Sequence, residues 1–218
     1  ARDGHDVAIH CHSSRDAADT LADEITAMGR KSCVVQADLM DEAALSPLIA
    51  EAAQVIGPLS VLVNNASVFE DDRVGSLSRE TWDKHMLTNL RAPVVLAEAF
   101  ARQAAPGSAI VNLLDQRVLK PDPRFFSYAL SRNGLWWATR TLAQALAPGI
   151  RVNGVGPGPT LASIHQSDAE FAAATAAKTS GGAVANAESA AATTAGTRAL
   201  ARVLAVDLTL WAWPASPP

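Results

Sequence analysis

The chain has 218 residues, of which 49% are hydrophobic, and a formal net charge of −4. This length fits one domain with a sizeable core, or one domain and a small appendage, and the acidic balance argues against a nucleic-acid partner. No apolar run approaches the roughly 20 residues of a membrane span, and no charged-then-apolar leader opens the sequence, so we expect a cytoplasmic protein without a membrane partner.

The first predicted strand, Val7 to His10, follows a segment typical of a helix end and a glycine turn. The next turn offers hydroxyls, imidazoles and a cation where an acidic residue would select an unphosphorylated ribose, so it favours an adenosine 2′-phosphate. These residues are His12, Ser13, Ser14 and Arg15. Two further interpretations stay open: a helix cap at Ser13 or Ser14, and a metal held by His10 and His12, which lacks an evident third ligand.

A helical pattern from Asp16 to Met28 leads to the strand Cys33 to Gln36, and then to Asp38 and Leu39. Asp38 is also a candidate cap for the helical pattern from about Glu42 to Ile56. Both cysteines, Cys11 and Cys33, lie in apolar strand-like runs. We therefore expect buried thiols rather than a disulfide.

The third strand is fully apolar and ends in polar and small residues, within VLVNNASVF at residues 61 to 69. Side-chain amides and a small residue at the end of a parallel strand suit a close approach to a sugar and phosphates. This description covers Asn64, Asn65, Ala66 and Ser67. Phe69 either belongs to the core or a lid, or stacks on a flat ring.

A helical pattern runs from Arg79 to Ala104 and contains Asn89 and Pro93. Proline cannot donate to the carbonyl four residues back, which here is the carbonyl of Asn89. The pattern predicts a bend, either a simple proline kink or one with a functional role.

The strand Ile110 to Leu114 is followed by a loop rich in charge and proline and by a helix that begins near Ser127. Tyr128 and Arg132 are four residues apart and share one face of that helix. The cation favours ionisation of the phenol, whose ordinary pKa is about 10. Asp115 leaves the strand at the edge where parallel sheets bind ligands, so proton transfer beside a cofactor is the predicted chemistry.

These motifs resemble the active-site region of the short-chain dehydrogenase/reductases, which carry Ser at a strand end and Tyr-x-x-x-Lys thirteen residues on. Asp115 stands where that Ser would be, and Arg132 replaces the Lys. Asp115, NNAS and the downstream RVNGVGPG are similar to the pteridine reductase and dihydromonapterin reductase branch. A guanidinium keeps the field of the family lysine but hardly ever gives up its proton.

The resemblance implies a catalytic group of Asp115, Tyr128, Arg132 and Asn89, the last through a water in a proton relay. Arg132 would lower the pKa of the phenol, and Phe69 and Ser67 would contact the substrate. NADPH would be the cofactor, and no metal is expected. The implied cofactor contacts are His12, Ser13, Ser14, Arg15, Asp38, Leu39, Asn64, Asn65, Ala66, Pro157, Gly158 and Thr160.

The expected fold is α/β, a doubly wound parallel sheet of the Rossmann-like kind. We expect it to lack the family's first strand and Gly-rich turn, since Gly154, Gly156 and Gly158 do not have the fingerprint spacing. We expect a catalytic domain over residues 1–175, a substrate-covering helix near residues 163–175, and an atypical low-complexity tail over residues 176–218. By resemblance, the two long helices pair across a two-fold axis in a homo-oligomer, a dimer or tetramer.

The best functional hypothesis is an NADPH-dependent reductase of a small pteridine-like molecule, a dihydropteridine or dihydrofolate. An ionised Asp115 cannot donate to a carbonyl, whereas a polar ring N–H can donate to it. A carbonyl or 3-oxoacyl reductase of the same family is the alternative in chemistry. A non-catalytic remnant is the alternative of another class, because of Arg132, the missing turn and the altered tail.

Overall fold

A computed structural model describes residues 1–157 and the backbone of one later strand, Arg202–Val206. The strands, in chain order, are β1 Asp6–Cys11, β2 Ser32–Gln36, β3 Val61–Asn64, β4 Ser108–Leu113, β5 Ile150–Val155 and β6 Arg202–Val206. The helices are α1 Arg15–Ala27, α2 Glu42–Ile56, α3 Arg79–Met86, a π-helical turn Leu87–Arg91, α4 Ala92–Gln103, a 3-10 turn Gln116–Val118 and α5 Phe126–Leu146.

The six described strands form one parallel sheet in the order β2-β1-β6-β3-β4-β5. The chain winds outward from β1 to β2 on one side, and from β3 through β4 to β5 on the other. Strand β6 lies between the two halves, with Val203 paired to both Val7 and Val61. The α/β fold expected from the sequence, with strands and helices in alternation, is therefore confirmed.

The sheet is covered on both faces, as all-parallel sheets require. The larger apolar cluster packs α2 and α4 against the sheet, and its fully buried members include Leu48, Ile49, Leu62, Phe100 and Ile110. A smaller cluster packs α1 against β1 through Ile9, Ala18 and Ile25. Cys11 and Cys33 are free thiols; Cys11 is buried, as predicted, whereas Cys33 is half-buried.

The helical pattern from Arg79 to Ala104 is interrupted where the sequence predicts a bend. Helix α3 ends at Met86, and in the π-helical turn that follows the Ala92 N–H donates to the Leu87 carbonyl. Pro93 lies in the first turn of α4, where the missing N–H costs least. Helix α5 passes close to this turn, because a Cβ on Gly134 would lie 2.8 Å from Leu90 Cδ2.

Strand β6 lies within residues 176–218, the range predicted from the sequence to be an atypical low-complexity tail. Gly158, Thr160 and the expected substrate-covering helix fall outside the described residues. None of the helices in the part of the chain described here is long and apolar enough to cross a membrane.

Candidate active site

The carboxyl ends of β3 and β4 are joined by a chain of side-chain hydrogen bonds. Asn64 Nδ2 donates to Asn112 Oδ1 at 2.8 Å, and Asn112 Nδ2 donates to Thr139 Oγ1 at 2.9 Å. All three side chains are buried. Buried polar groups require hydrogen-bond partners. This chain of hydrogen bonds therefore fixes α5 against the edge of the sheet where ligands of such folds bind.

Asp115 and Tyr128, thirteen residues apart in sequence, are in direct contact. The Tyr128 hydroxyl donates to Asp115 Oδ2 at 3.0 Å. The other carboxylate oxygen accepts the Arg117 N–H at 2.8 Å, which caps the 3-10 turn, and Arg117 Nη1 lies 3.3 Å from Oδ2. The expected approach of the strand-end acid to the phenol is therefore present in the structure.

Arg132 lies beside the same phenol, with its guanidinium carbon 5.3 Å from the centre of the Tyr128 ring. Arg132 Nη1 donates to the Leu113 carbonyl at 2.9 Å, and the residue is only 3% exposed. Its Nε is buried and has no hydrogen-bond partner among residues 1–157. A permanent cation is thus held between the end of β4 and the phenol.

The pKa of Tyr128 is raised above its ordinary value, chiefly because burial disfavours the charged phenolate. Arg132 acts in the opposite direction, and the negative charge of Asp115 raises the pKa further. The expectation that Arg132 lowers the phenol's pKa agrees with the direction of its own contribution, while the net shift is upward. Desolvation outweighs the cation because the phenol is almost completely buried.

Phe69 packs on two aromatic side chains of the same site. Its ring stacks on Phe125 with centroids 4.2 Å apart and meets the Tyr128 ring edge-on at 4.6 Å. The Arg117 guanidinium lies 5.4 Å from the Phe69 centroid and 5.2 Å from that of Phe125. Phe69 is only partly buried, so this aromatic wall stands directly beside the Asp115 and Tyr128 pair.

Asn89, in the π-helical turn, holds the loop that follows β3. Its Oδ1 accepts the Val68 N–H at 2.8 Å, and its Nδ2 donates to the Val68 carbonyl at 2.9 Å and to Ser131 Oγ at 3.2 Å. The side chain is fully buried. It therefore links the segment carrying Ser67 and Phe69 to the helix carrying Tyr128.

The turn predicted to contact a 2′-phosphate is exposed at the end of β1. Arg15 forms an ion pair with Asp19 at 2.9 Å, and His12 Nδ1 lies 3.5 Å from Asp38 Oδ1. Ser14 precedes α1 without a side-chain cap bond, against the capping interpretation for that residue. The turn therefore brings His12 and Asp38 together, on neighbouring strand ends, and leaves the Ser14 hydroxyl out of the helix cap.

The remaining predicted cofactor contacts lie at the ends of neighbouring strands. Leu39 and Ala66 are buried, Asn65 is partly buried, and Pro157 follows β5. His10 is buried with Nε2 3.0 Å from the Ala37 carbonyl, whereas His12 is exposed. Among residues 1–157, no three His, Cys, Asp or Glu side chains come together as metal ligands.

Three residues of the site were not singled out from the sequence, namely Arg117, Phe125 and Asn112. Phe125 has φ 57°, a left-handed backbone that is rare for a large side chain and that often marks functional sites. The sequence signal for Arg117 was its place two residues after Asp115. Nothing local marks Asn112, whose partners come from β3 and α5.

A cavity of about 600 Å³ lies between the loop after β4 and the outer face of α5. Its lining includes Arg73, Arg117, Pro121, Phe126 and Leu130. Arg117 also contacts the Phe69 ring, so the cavity adjoins the aromatic wall of the site.

Comparison with known proteins gives one family over most of the chain. Residues 1–173 match the short chain dehydrogenase family. The short-chain dehydrogenase/reductase FrzI of Cladobotryum sp is 32% identical over 179 residues, which are 79% of this chain and 69% of that protein. The 3-oxoacyl-[acyl-carrier-protein] reductase FabG of Staphylococcus epidermidis is 30% identical over 161 residues, 72% of this chain and 66% of that protein. The chain thus spans about two thirds of the length of these curated relatives.

Solved structures add a more similar group. FolM alternative dihydrofolate reductase 1 from Brucella canis, complexed with NADP, is 49% identical with a TM-score of 0.70, covering 73% of this chain and 65% of that one. A short chain dehydrogenase from Burkholderia cenocepacia, also in complex with NADP, is 31% identical with a TM-score of 0.80, covering 94% and 86% of the two chains.

Proposed function

This chain belongs to the short-chain dehydrogenase family, and from that premise we propose that it is an NADPH-dependent reductase of a pteridine-like molecule such as a dihydropteridine or dihydrofolate. The observation that carries the substrate class is the Asp115 carboxylate, hydrogen-bonded to Tyr128, beside the partly buried Phe69 ring, which contacts the same tyrosine. The resemblance to the pteridine reductase branch is supported by the FolM structures of Brucella canis and Brucella suis, at 49% and 48% identity.

The chemistry of Asp115 favours a nitrogen heterocycle. A carboxylate accepts hydrogen bonds, and the amino and N–H groups of such a ring donate them. Aromatic rings favour offset stacking on a flat ligand, which Phe69 offers beside the carboxylate. The cavity next to Arg117 leaves room for a substituent on the ring, and two arginines line it.

Tyr128 is the group that would give a proton to the substrate. Its raised pKa keeps it protonated at neutral pH, which suits an acid, and its hydroxyl is oriented by Asp115. Arg132 would stabilise the phenolate that forms after transfer. Asn89 holds the loop carrying Phe69 in place, and its role in a water relay remains part of the proposal.

The residues present fit a nicotinamide dinucleotide. Among the residues that the structure describes, the buried Arg132 Nε–H has no hydrogen-bond partner and is a donor suited to a ribose hydroxyl, and Asn64 Oδ1 at the neighbouring strand end is an acceptor without a partner. His12, Ser13, Ser14 and Arg15 would hold a 2′-phosphate, with Asp38 and Leu39 near the adenine. When bound, NADPH supplies the hydride.

A homo-oligomer is part of the same proposal. Helix α5 presents Leu130 and Trp137 outward, with Trp137 66% exposed. Large exposed apolar side chains on one helix face are typical of association surfaces. A second copy of the chain, as a dimer or tetramer, is the proposed partner.

A carbonyl or 3-oxoacyl reductase is the second candidate, favoured by the 30% identity to the FabG protein. The residue that separates the two is Asp115, because an ionised carboxylate cannot donate to a substrate carbonyl. A non-catalytic remnant is the third, favoured by Arg132 in the place of a lysine.

The test starts with titration calorimetry of the chain with NADPH and with NADH. We expect binding that prefers NADPH, and an Arg15→Glu variant should lose the preference because it repels the 2′-phosphate. Reduction of a dihydropteridine or dihydrofolate is then compared with reduction of a 3-oxoacyl thioester. The proposal requires turnover of the heterocycle, and Asp115→Ser should shift activity towards the thioester. Absence of NADPH binding would favour the remnant.

A further inference from the structure

A second buried hydrogen-bond chain joins three segments around the site and uses none of the groups placed in proton transfer. Its members are Asp72, Ser127 and His85, which are 3%, 0% and 0% exposed. Asp72 lies in the loop between β3 and α3, His85 in the last turn of α3, and Ser127 in the first turn of α5. Buried polar groups of this kind cost free energy unless their hydrogen bonds are complete.

The direction of each hydrogen bond follows from the chemistry of the groups. The Glu70 N–H donates to His85 Nε2 at 3.1 Å, so the proton of a neutral imidazole lies on Nδ1. His85 Nδ1 then donates to Ser127 Oγ at 2.6 Å. The Ser127 hydroxyl donates to the Asp72 carboxylate. Each of the three donors, the Glu70 N–H, the His85 Nδ1–H and the Ser127 O–H, therefore has an acceptor.

Asp72 also caps the first turn of α5. The Ser127 N–H lies 3.1 and 3.3 Å from its two carboxylate oxygens, and the Phe126 N–H donates to its backbone carbonyl at 3.2 Å. These N–H groups have no partner within the helix. Phe125, at the cap position, makes no side-chain cap bond. A remote carboxylate thus supplies the cap and faces the positive end of the helix dipole.

We propose that Asp72, Ser127 and His85 are positioning residues that set Tyr128 and Phe69 relative to one another. One end of the chain holds the turn of α5 that carries Tyr128, and the other end holds Glu70, the neighbour of Phe69. The aromatic wall and the phenol are thereby joined by a buried connection that is separate from the one through Asn89. In its effect on turnover this inference rests on the proposed function, but the hydrogen-bond chain itself does not.

The first test does not depend on turnover and uses a variant only to assign the signal. Nitrogen-15 NMR of the histidine rings distinguishes a protonated Nδ1 from a protonated Nε2, and the loss of a signal in His85→Gln identifies His85 among the five histidines. We expect a neutral ring with the proton on Nδ1 at neutral pH. A proton on Nε2, or on both nitrogens, would overturn the proposal.

The second test uses Tyr128, which is the single tyrosine of the chain, so tyrosinate absorbance reports it alone. Ser127→Ala interrupts the hydrogen-bond chain without changing any charge. We expect the pKa of Tyr128 to fall towards its ordinary value as water reaches the phenol, and Ser127→Thr, which keeps the hydroxyl, to restore it. An unchanged titration in Ser127→Ala would contradict the proposal.

The matched control is Lys84→Gln, which cuts the Lys84 to Glu70 ion pair on the outer side of the same contact. It should leave the Tyr128 titration unchanged. If the chain reduces the proposed substrate, kcat of Ser127→Ala should fall on the order of 10- to 100-fold with a smaller change in KM, because reacting groups are displaced. If no turnover is found while the ring tautomer is as expected, the proposed function fails and the positioning role stands.

Discussion

Tyr128 sits between a carboxylate and a guanidinium that act on it in opposite directions. Burial and Asp115 favour the neutral phenol, and Arg132 favours the phenolate. The guanidinium keeps its proton under all working conditions, so it acts as a fixed charge rather than as a proton carrier. In the proposed reaction, this balance would keep Tyr128 protonated at neutral pH, and Arg132 would stabilise the phenolate that forms after proton transfer.

Substitution of either neighbour should move the pKa of Tyr128 in a defined direction. Asp115→Asn removes the negative charge, and we expect the pKa to fall. Arg132→Met removes the cation from a buried position, and the pKa should rise. Tyrosinate absorbance measures both, because no other tyrosine is present. If the pKa of Tyr128 shifted in the same direction in both variants, solvent access and not these two charges would determine it.

At the level of single residues, the sequence was enough to predict contacts between side chains that lie in β4, the loop after it and α5. Asp115, Tyr128 and Arg132 are close in sequence, and helical spacing brings two of them together. His85 and Ser127 are 42 residues apart, and Asp72 and Ser127 are 55 apart. Such contacts depend on how α3 and α5 pack, which no local pattern specifies.

The π-helical turn sets the orientation of Asn89 towards the loop after β3. With the extra residue in this turn, the Asn89 side chain reaches both polar groups of the Val68 backbone. Single π-turns inside longer helices are frequent at functional sites for this reason. The π-helical turn interrupts the regular hydrogen-bond pattern of the helix. It also places Asn89 where it holds the loop beside the phenol.

Asn89→Ala should destabilise the protein by about 2–4 kcal/mol, because it leaves buried polar groups of Val68 without partners. Chemical denaturation measures the loss. Asn89→Asp is the matched control of equal size. Its ionised carboxylate accepts the Val68 N–H but faces the Val68 carbonyl without a proton. A loss at least as large as in Asn89→Ala is therefore expected at neutral pH, and a smaller one in acid, where the protonated group can donate. A loss below about 0.5 kcal/mol in Asn89→Ala would mean that water replaces the amide.

The helices and strands themselves were largely predictable. The helix predicted from near Ser127 begins at Phe126, and the one predicted from Glu42 to Ile56 has those bounds. Apolar periodicity and turn residues determine such elements. The position of β6 was not predictable, because residues 176–218 show little period and strand order depends on distant pairing.

For the whole molecule, His85 couples stability to pH. Burial lowers its pKa, helped by Arg132 and Lys84 and opposed by Asp72 and Glu70. In the unfolded chain the ring binds its proton at a higher pH than in the folded chain. Stability therefore rises with pH through the window below about 6.5 and is level above it, as far as this group is concerned.

Unfolding midpoints in denaturant, measured between pH 4.5 and 7.5, test this expectation. We expect a steeper loss towards acid in the natural sequence than in His85→Gln, since only the natural ring must take up a proton. His12→Gln, at an exposed histidine, should follow the natural curve. Parallel curves for His85→Gln and the natural sequence would place the acid sensitivity elsewhere.

The middle position of β6 has a consequence for the order in which the protein can assemble. In the described sheet, β1 is joined to β3, β4 and β5 only through β6. Val7 of β1 therefore cannot pair on this side until Val203 of β6 has been made. During synthesis on the ribosome, the strands that flank this gap are made long before the strand that fills it. Each exposes an unpaired edge meanwhile, and such edges invite pairing with other chains. In a nascent chain, the edges of β1 and β3 that flank this gap therefore stay unpaired and prone to aggregation until β6 emerges.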